Sequence, residues 1–288
     1  MRHAGQAATA FLLICVLFPG STIAQQPERS GCSEAEFEDA RLVFHRAWFE
    51  QADEQFSEYT DKCDGDALAH AYLAIIDMLL YRNNASNVSH ALSQADSDAG
   101  ANGLFVKALA NFAQGQLEET ESLLKQYLQA SPNDKYAMHV LGFTLNDRGE
   151  HHQGAKILTQ LLASHPDYFS AKNHLAYALL ELGETEDALR VAGEFVGTDP
   201  ANPSAWDTQA EILDSLGQSE AAIASLSRSL VLDERFAYGY RHLGDILMSI
   251  GNEDAAMAAY RKAIRSASLY GPDFVTSVED VLNKDTED

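Results

Sequence analysis

Basic residues are scarce in this sequence. Its 288 residues include 20 Lys and Arg against 43 Asp and Glu, which gives a formal net charge of −23. Because such a surface repels phosphate, the composition argues against binding to nucleic acid and against attachment to an anionic lipid surface. Hydrophobic residues nevertheless make up 46% of the chain. That fraction supports a sizeable buried core in one or two domains. It excludes a chain that is disordered as a whole in the manner of an acidic tail.

Catalytic signatures are also missing. The sequence contains no GxSxG, Walker loop, GxGxxG or HExxH pattern, and its carboxylates are too numerous for any one pair to stand out. His151 and His152 are adjacent, but no further ligand types cluster with them, so we interpret them as a solvent-exposed turn. We therefore predict a protein that is not an enzyme, with no catalytic residue, no cofactor and no metal.

Long hydrophobic runs are limited to the start of the chain. Phe11–Phe18 is apolar throughout, a Pro-Gly pair ends the run, and Thr22 and Ala24 are small residues placed as at a signal-peptidase site. The run is far shorter than the roughly 20 residues of a membrane-spanning helix. Residues 1–24 are therefore predicted to be a secretory signal peptide cleaved after Ala24, with an uncleaved membrane anchor as the alternative. The mature chain would then be periplasmic or secreted.

The rest of the sequence repeats with a period of 34 residues. The strongest column consists of glycines, and two further columns consist of small residues and of prolines. They are Gly115, Gly149, Gly183, Gly217 and Gly251; Ala108, Gly142, Ala176, Ala210 and Gly244; and Pro132, Pro166 and Pro200. Apolar residues at helical spacing flank each glycine, so each period is predicted to be two helices joined by a tight turn.

These columns resemble the tetratricopeptide repeat family. The pattern is clearest in residues 203–236 and 237–270, and the second of these has Tyr240, Leu243-Gly244, Gly251, Ala256, Tyr260 and Ala263 at the family's positions. The resemblance implies an all-α fold, a right-handed superhelical solenoid of helix-turn-helix repeats in which each unit packs on its neighbours.

The 34-residue register divides the chain into seven units that follow a short N-terminal segment, 25–32. The units are 33–66, 67–100, 101–134, 135–168, 169–202, 203–236 and 237–270. The first unit has Ala47 in place of the turn glycine. The second fits worst, because its second helix has Ser86, His90 and Ser93 where bulky residues or Ala are expected. An apolar face over 271–284 predicts a capping helix, and an acidic tail, 285–288, follows it.

Only two cysteines remain after the predicted cleavage. In the repeat register, Cys32 precedes the first helix of the first unit and Cys63 closes the second helix, so an antiparallel hairpin brings them together. We predict a disulfide worth about 3–4 kcal/mol, and two free thiols or a metal pair are the alternatives. Asn84 and Asn87 begin glycosylation sequons, which matter only in a eukaryotic secretory pathway and are otherwise polar loop residues.

The resemblance also implies that the first helix of each hairpin lines a concave groove. We take the groove residues from the family's positions; in the first two units they are largely apolar. In the later units they are Phe105, Leu109, Phe112, Tyr136, His139, Phe143, Asn146, Asn173, His174, Tyr177, Asp207, Glu211, Asp214, Arg241, His242 and Asp245. This series runs from aromatic to acidic, although Phe105 and Phe112 could instead be core residues.

The predicted function is a scaffold that binds a peptide or partner segment in this groove, in the assembly of envelope or secreted proteins. Apolar burial would supply affinity, and the acidic end would favour basic residues. One alternative is a periplasmic module that presents apocytochrome for haem attachment. Another is an accessory that handles metal or haem through His139, His174 and His242. The partner's identity and the oligomeric state do not follow from the sequence.

Overall fold

The structure, a computed structural model, describes residues 32–45, 49–82, 84–96, 100–268 and 270–284. The predicted signal peptide, the segment before Cys32, the turn residue Ala47 and the acidic tail lie outside the described residues. All regular secondary structure in the described residues is helical. The all-α prediction is thus confirmed.

Fifteen helices lie in the described part of the chain; the first fourteen pair as hairpins in chain order, two in each 34-residue unit, and the fifteenth follows the last unit. They are α1 (Glu34–Phe44), α2 (Phe49–Lys62), α3 (Ala67–Leu79), α4 (Ala85–Ala95), α5 (Ala101–Ala113), α6 (Leu117–Ala130), α7 (Lys135–Asp147), α8 (His151–Ser164), α9 (Phe169–Glu181), α10 (Thr185–Thr198), α11 (Pro203–Ser215), α12 (Ser219–Leu232), α13 (Ala237–Ser249), α14 (Glu253–Ser266) and α15 (Pro272–Lys284).

The turns of the second to seventh hairpins have a left-handed backbone at one residue. All five glycines of the 34-residue column have φ between 70° and 77°, the region in which a side chain is least tolerated. In the second unit the same position is Tyr81, which adopts φ 55°. The side chain of Tyr81 therefore tolerates a strained left-handed backbone, and its ring contacts residues outside the second unit.

Aspartates are the N-caps of two first helices, α3 and α7, and they make the same contacts in both. Asp134 accepts hydrogen bonds from the backbone N–H groups of Tyr136 and Ala137, both at 2.9 Å, and its second oxygen accepts from the hydroxyl of Tyr127 at 3.0 Å. Asp66 caps α3 in the same way and accepts from Tyr59 at 2.9 Å. The N-cap therefore also fixes the preceding helix of the neighbouring unit.

The first unit is fixed by a disulfide and then turned inward. Cys32 and Cys63 are bonded, with their Cα atoms 5.6 Å apart, so the two ends of the hairpin are held together. The inner end of α1 crosses the concave side of the superhelix. There the guanidinium of Arg41 lies 3.7 Å from the ring centre of Tyr136, and the ring of His45 lies 4.7 Å from that of Tyr136. The first unit thus contacts the fourth, which is not its neighbour in sequence.

The second unit also contacts the far end of the chain. Gly271 N–H donates to the carbonyl of Leu80 at 2.6 Å, and the Tyr238 hydroxyl donates to that of Leu79 at 3.4 Å. A side chain at position 271 would overlap the carbonyl oxygen of Tyr81, so the close approach requires glycine. We call these five residues the clasp.

The last helix covers the final hairpin. Phe274 and Val278 of α15 are buried against Tyr260 and Ala263 of α14. The ring of Phe274 also lies 5.8 Å from that of Tyr81 in the clasp. None of the helices in the described ranges is both long and apolar enough to cross a bilayer. The buried faces of all seven hairpins thus lie against other protein elements.

Candidate binding cavity

The superhelix encloses a cavity of about 790 Å³ on its concave side. The first helix of every hairpin contributes to its lining, and α2 and the clasp close it on the side where the first and last units approach. Nine of the predicted groove residues line it: Phe112, His139, Phe143, Asn173, His174, Tyr177, Asp207, Glu211 and His242. The volume is in the range of ligand pockets and well below that of a folded domain.

The other predicted groove residues lie elsewhere. Phe105 and Leu109 are buried in the main core, where Phe105 stacks on Tyr127 at 5.0 Å between ring centres. Tyr136 is covered by Arg41, while Asn146 donates to the carbonyl of His174 at 3.0 Å. The remaining three, Asp214, Arg241 and Asp245, are partly exposed or exposed outside the cavity. The inward turn of the first unit covers Tyr136, whereas Phe105 and Leu109 are core residues of the repeats themselves.

One side of the cavity consists of rings. Phe143 stacks on His174 at 4.2 Å between centres, and His174 lies 4.9 Å from His139. Behind them, His45 lies 5.3 Å from His139 and 5.5 Å from Tyr168. We call these five residues the aromatic wall. It joins side chains of α7 and α9 to the residue that ends α1 and the residue before α9.

Several polar atoms of the aromatic wall are buried without partners. Among the described residues, no hydrogen bond is made by either ring nitrogen of His139, by Nδ1 of His45, by the Tyr168 hydroxyl or by the hydroxyl of Ser170 beside them. His139 is only 5% exposed, and both His139 and Ser170 line the cavity. Unpaired buried polar groups cost free energy, so an occupant that offers a donor and an acceptor would gain from these groups.

Two carboxylates and a histidine form the opposite side. Nδ1 of His242 is 2.9 Å from Oδ1 of Asp207, Nε2 is 3.2 Å from Oε1 of Glu211, and the Tyr177 hydroxyl donates to the other oxygen of Glu211. We call Asp207, Glu211 and His242 the acidic wall. These contacts join α9, α11 and α13, which are the first helices of three successive units.

The two walls shift the pKa of histidine in opposite directions. Burial lowers the pKa of His174 to about 4, and burial also holds the pKa values of His45 and His139 well below the ordinary value of 6.5. Burial alone would lower the pKa of His242 as well, but the charges of Asp207 and Glu211 outweigh it and raise that pKa to about 9. At neutral pH the aromatic wall is therefore uncharged and His242 is an imidazolium.

Additional acids face the cavity from the first unit and from the loop before α13. Burial raises the pKa of Glu50, and the nearby Asp233 raises it further. Glu54 also lines the space, where the positive groups are Arg235 and the imidazolium of His242. Negative lining groups outnumber positive ones, so the cavity attracts a cation. The family positions cover only first helices, so sequence reasoning missed Glu50, Glu54, Asp233 and Arg235. It also left out Ser170, although this residue lies on the first helix α9.

The groove histidines do not form one ligand set. His139 and His174 are adjacent, but His242 lies on the other wall with both ring nitrogens beside carboxylates. Within the described ranges, the metal-type side-chain groups that converge are Asp207 with Glu211 and His242, and Asp64 with His70 and His90. The arrangement therefore gives no specific support to metal or haem handling through His139, His174 and His242 together.

Two sequence models described as "Tetratricopeptide repeat" match this chain, over residues 145–212 and 208–270. The two matches together cover residues 145–270, which therefore consist of tetratricopeptide repeats, and the hairpins before them have the same helix-turn-helix arrangement. Proteins with such repeats are generally non-catalytic scaffolds for protein–protein interaction.

Two solved tetratricopeptide repeat structures share the architecture. A tetratricopeptide repeat protein from Parabacteroides merdae has a TM-score of 0.59 and 16% identity, with 85% of this chain and 96% of that chain covered. A thermophilic tetratricopeptide repeat protein from Thermus thermophilus has a TM-score of 0.58 and 22% identity, with 64% and 99% covered. MamA from Desulfovibrio magneticus has a TM-score of 0.48 and 21% identity, with 58% and 94% covered. No curated protein matches the chain.

Proposed function

We propose that this protein is a scaffold that holds a short segment of a protein partner in its central cavity, and that this segment has a basic side chain next to apolar ones. The observation that carries the proposal is the division of one cavity into an aromatic wall and an acidic wall. The fold supports protein partners in general, and the lining supports this particular chemistry.

The acidic wall and its neighbours favour a cation. Burial is the main reason that the pKa of Glu50 is raised; repulsion from Asp233 adds to the shift, and Arg235 and Arg82 offset only part of it. A Lys or Arg side chain placed between Glu50, Asp233 and the acidic wall would relieve this repulsion and gain charge-assisted hydrogen bonds. Electrostatic attraction would also speed the encounter.

The aromatic wall favours the apolar part of the segment and its backbone. Phe112 and Phe143 present ring surface to the cavity, where burial of an aliphatic or aromatic side chain is favourable. Beside them, the unpaired atoms of His139 and Ser170 suit a peptide group, which has one N–H donor and one carbonyl acceptor. Burial by these rings and pairing with these atoms would fix the orientation of the segment.

The length of the segment is limited by the closure of the superhelix. An open groove would accept an extended peptide along all seven hairpins, but here the inner end of the first unit and the clasp cover part of the concave side. The cavity has room for a few residues. A chain terminus or an exposed loop is therefore the part of a partner that fits best.

A matched pair of peptide series tests the proposal. Hexapeptides that combine Leu and Phe with Lys are compared with the same peptides in which Glu replaces Lys, by fluorescence anisotropy on the chain that begins at Gln25. We expect saturable binding of the Lys series only, and weakening by at least tenfold in the Asp207→Asn, Glu211→Gln double variant. A tenfold change corresponds to about 1.4 kcal/mol.

Two control variants separate binding from folding. Asp214→Asn removes an acid of the same helix that lies outside the cavity, so it should leave the affinity unchanged. Ser170→Ala removes a hydroxyl without a hydrogen-bond partner among the described residues, so it should weaken binding without lowering the melting temperature. Equal binding of the Lys and Glu series would reject the proposal.

We further propose that the protein is exported and acts on envelope or secreted proteins. The signal-like residues 1–24 support this, and so does the Cys32–Cys63 disulfide, because such bonds persist in oxidising compartments. Intact-mass measurement on protein recovered from the cell envelope should give a chain that starts at Gln25. A mass that includes Met1 would contradict export with cleavage.

A further inference from the structure

The second unit contains a group of side chains that the scaffold function leaves unused. Asp64 follows Cys63 in the loop after α2, His70 lies in α3, and His90 lies in α4. One ligand-type atom from each of the three lies within 4.8 Å of the other two. The group lies at the start of the second hairpin, away from the cavity lining.

Hydrogen bonds fix the orientation and the tautomer of His70. Asn87 donates its amide N–H to Asp77 at 2.9 Å, so its amide oxygen faces Nδ1 of His70 at 3.0 Å and accepts from it. Nδ1 of His70 therefore carries a proton. An outer partner that holds one imidazole nitrogen in this way is the usual arrangement around a histidine that binds a metal through the other nitrogen.

The other nitrogen of His70 faces only acceptors. Nε2 lies 3.0 Å from the carbonyl oxygen of Asp64 and 3.8 Å from a carboxylate oxygen of the same residue. With Nδ1 protonated, a neutral ring would direct its Nε2 lone pair at these oxygens. A metal ion placed between Nε2 and these oxygens would bind both.

His90 supplies a second imidazole beside that of His70. Its ring lies 4.0 Å from that of His70, and its Nε2 is buried and has no hydrogen-bond partner within the described ranges. A metal ion would use both imidazoles and the carboxylate together.

We propose that Asp64, His70 and His90 form a binding site for a divalent transition-metal ion of the zinc type, with water completing the coordination. Two imidazoles and a carboxylate suit zinc, copper and nickel, whereas magnesium and calcium prefer oxygen ligands throughout. The site joins α3 and α4 to the loop beside the disulfide. It also explains why the second unit fits the repeat pattern worst, since Asn87 and His90 occupy the helix that departs from it.

The other converging group does not carry the same inference. In the acidic wall both ring nitrogens of His242 are already beside carboxylates, so neither nitrogen is left without a partner. This group serves as the internal control for the experiment.

Isothermal titration of the metal-free, untagged chain with zinc chloride tests the proposal. We expect one saturable site, a melting temperature that rises with excess zinc, and no response to magnesium or calcium. His90→Gln should weaken zinc binding by at least tenfold, whereas His242→Gln and the exposed His152→Gln should leave it unchanged. The proposal is overturned if zinc gives no saturable binding, if His90→Gln binds as the unaltered chain does, or if His242→Gln is the variant that loses binding.

A second variant distinguishes the loss of a metal ligand from misfolding, which could also explain weak zinc binding by His90→Gln. The side chain of Asp64 is 86% exposed, so Asp64→Asn should leave the circular dichroism and the melting temperature without zinc unchanged. We expect it to weaken zinc binding by about tenfold. Unchanged affinity in this variant would remove the carboxylate from the site and with it the proposed ligand set.

Discussion

His174 and His242 face the same cavity from first helices two units apart, yet they carry different charges at neutral pH. His174 is stacked between a phenylalanine and another histidine, and burial lowers its pKa to about 4. His242 is held between two carboxylates that raise its pKa to about 9. The difference shows that burial alone does not determine whether a histidine in this superhelix is charged at neutral pH. The charge depends on the side chain that the adjacent unit places next to the ring.

Acidification should produce the largest effect, on the aromatic wall. A histidine whose pKa is lowered in the folded state stabilises the fold above its ordinary value of 6.5, and this contribution is lost as the pH falls through about 4. The shift of His174 alone corresponds to about 3 kcal/mol at roughly 1.4 kcal/mol per pH unit. His45 and His139 should add to it. Urea unfolding between pH 7 and pH 4 measures the loss.

The matched variant for this prediction is His174→Phe, which keeps a ring against Phe143 and removes the titrating group. Its free energy of unfolding should fall less steeply between pH 6.5 and pH 4. Identical slopes in the variant and the unaltered protein would show that the acid sensitivity comes from other groups.

Removal of the disulfide should come next. Replacing Cys32 and Cys63 by serine should lower the free energy of unfolding by about 3–4 kcal/mol. Because the first unit contributes His45 to the aromatic wall, amide exchange should speed up in α1, in α2 and around Tyr136 and Tyr168. Amides of α13 beside His242 should be unaffected. Equal acceleration on both walls would contradict this separation.

The double variant Asp207→Asn, Glu211→Gln removes both carboxylates of the acidic wall. Without the carboxylates, burial should bring the pKa of His242 below 6.5 and cost about 2–3 kcal/mol of stability at pH 7. The raised pKa of the unaltered protein gives the opposite pH dependence to the aromatic wall: its contribution is complete below pH 6.5 and is lost as the pH rises through about 9.

Nuclear magnetic resonance titration of His242 and urea unfolding from pH 6.5 to pH 9.5 check this prediction. The double variant should lose the decline of stability over that range. Asp214→Asn, which lies outside the cavity, should keep it. A His242 pKa that stays above 8 in the double variant would exclude the two carboxylates as the cause.

The smallest effect is expected for His139→Leu. Both ring nitrogens of His139 lack hydrogen-bond partners within the described ranges, so no bond is lost when the imidazole is removed. Stability at pH 7 should stay the same or rise by up to about 1 kcal/mol, and the gain should be larger at pH 5. A loss of more than 2 kcal/mol in thermal melts would show that the nitrogens have a partner in solution, such as a bound water.

The sequence was sufficient for the hairpins because each one depends on local requirements. The 34-residue glycine column marks the left-handed turns, and the predicted Cys32–Cys63 pair follows from the antiparallel arrangement of two adjacent helices. The contact between Tyr177 and Glu211 has the same origin, since residues 34 apart occupy equal places on neighbouring first helices. Contacts of this kind can be read from the register.

Contacts that skip units could not be predicted. The repeat pattern is silent on the inward turn of the first unit, which covers Tyr136 and places Glu50 in the cavity. It also could not decide between groove and core for Phe105, because a first helix has apolar residues on both its inner and its packing face. The burial of Phe105 against Tyr127 favours the core, and truncation of this ring should chiefly destabilise the fold.

The clasp has a consequence for how such a protein can evolve. A linear array tolerates duplication or deletion of a repeat, because each unit touches only its neighbours and the ends are open. Here the peptide N–H of Gly271 is bonded to the carbonyl of Leu80, so the chain forms a hoop whose circumference is set by the number of units between these residues. One extra 34-residue unit would move Gly271 away from Leu80, so the second unit and the end of the chain would no longer be in contact. Closure therefore depends on the present number of repeats, and we expect insertion or deletion of a whole unit to break it.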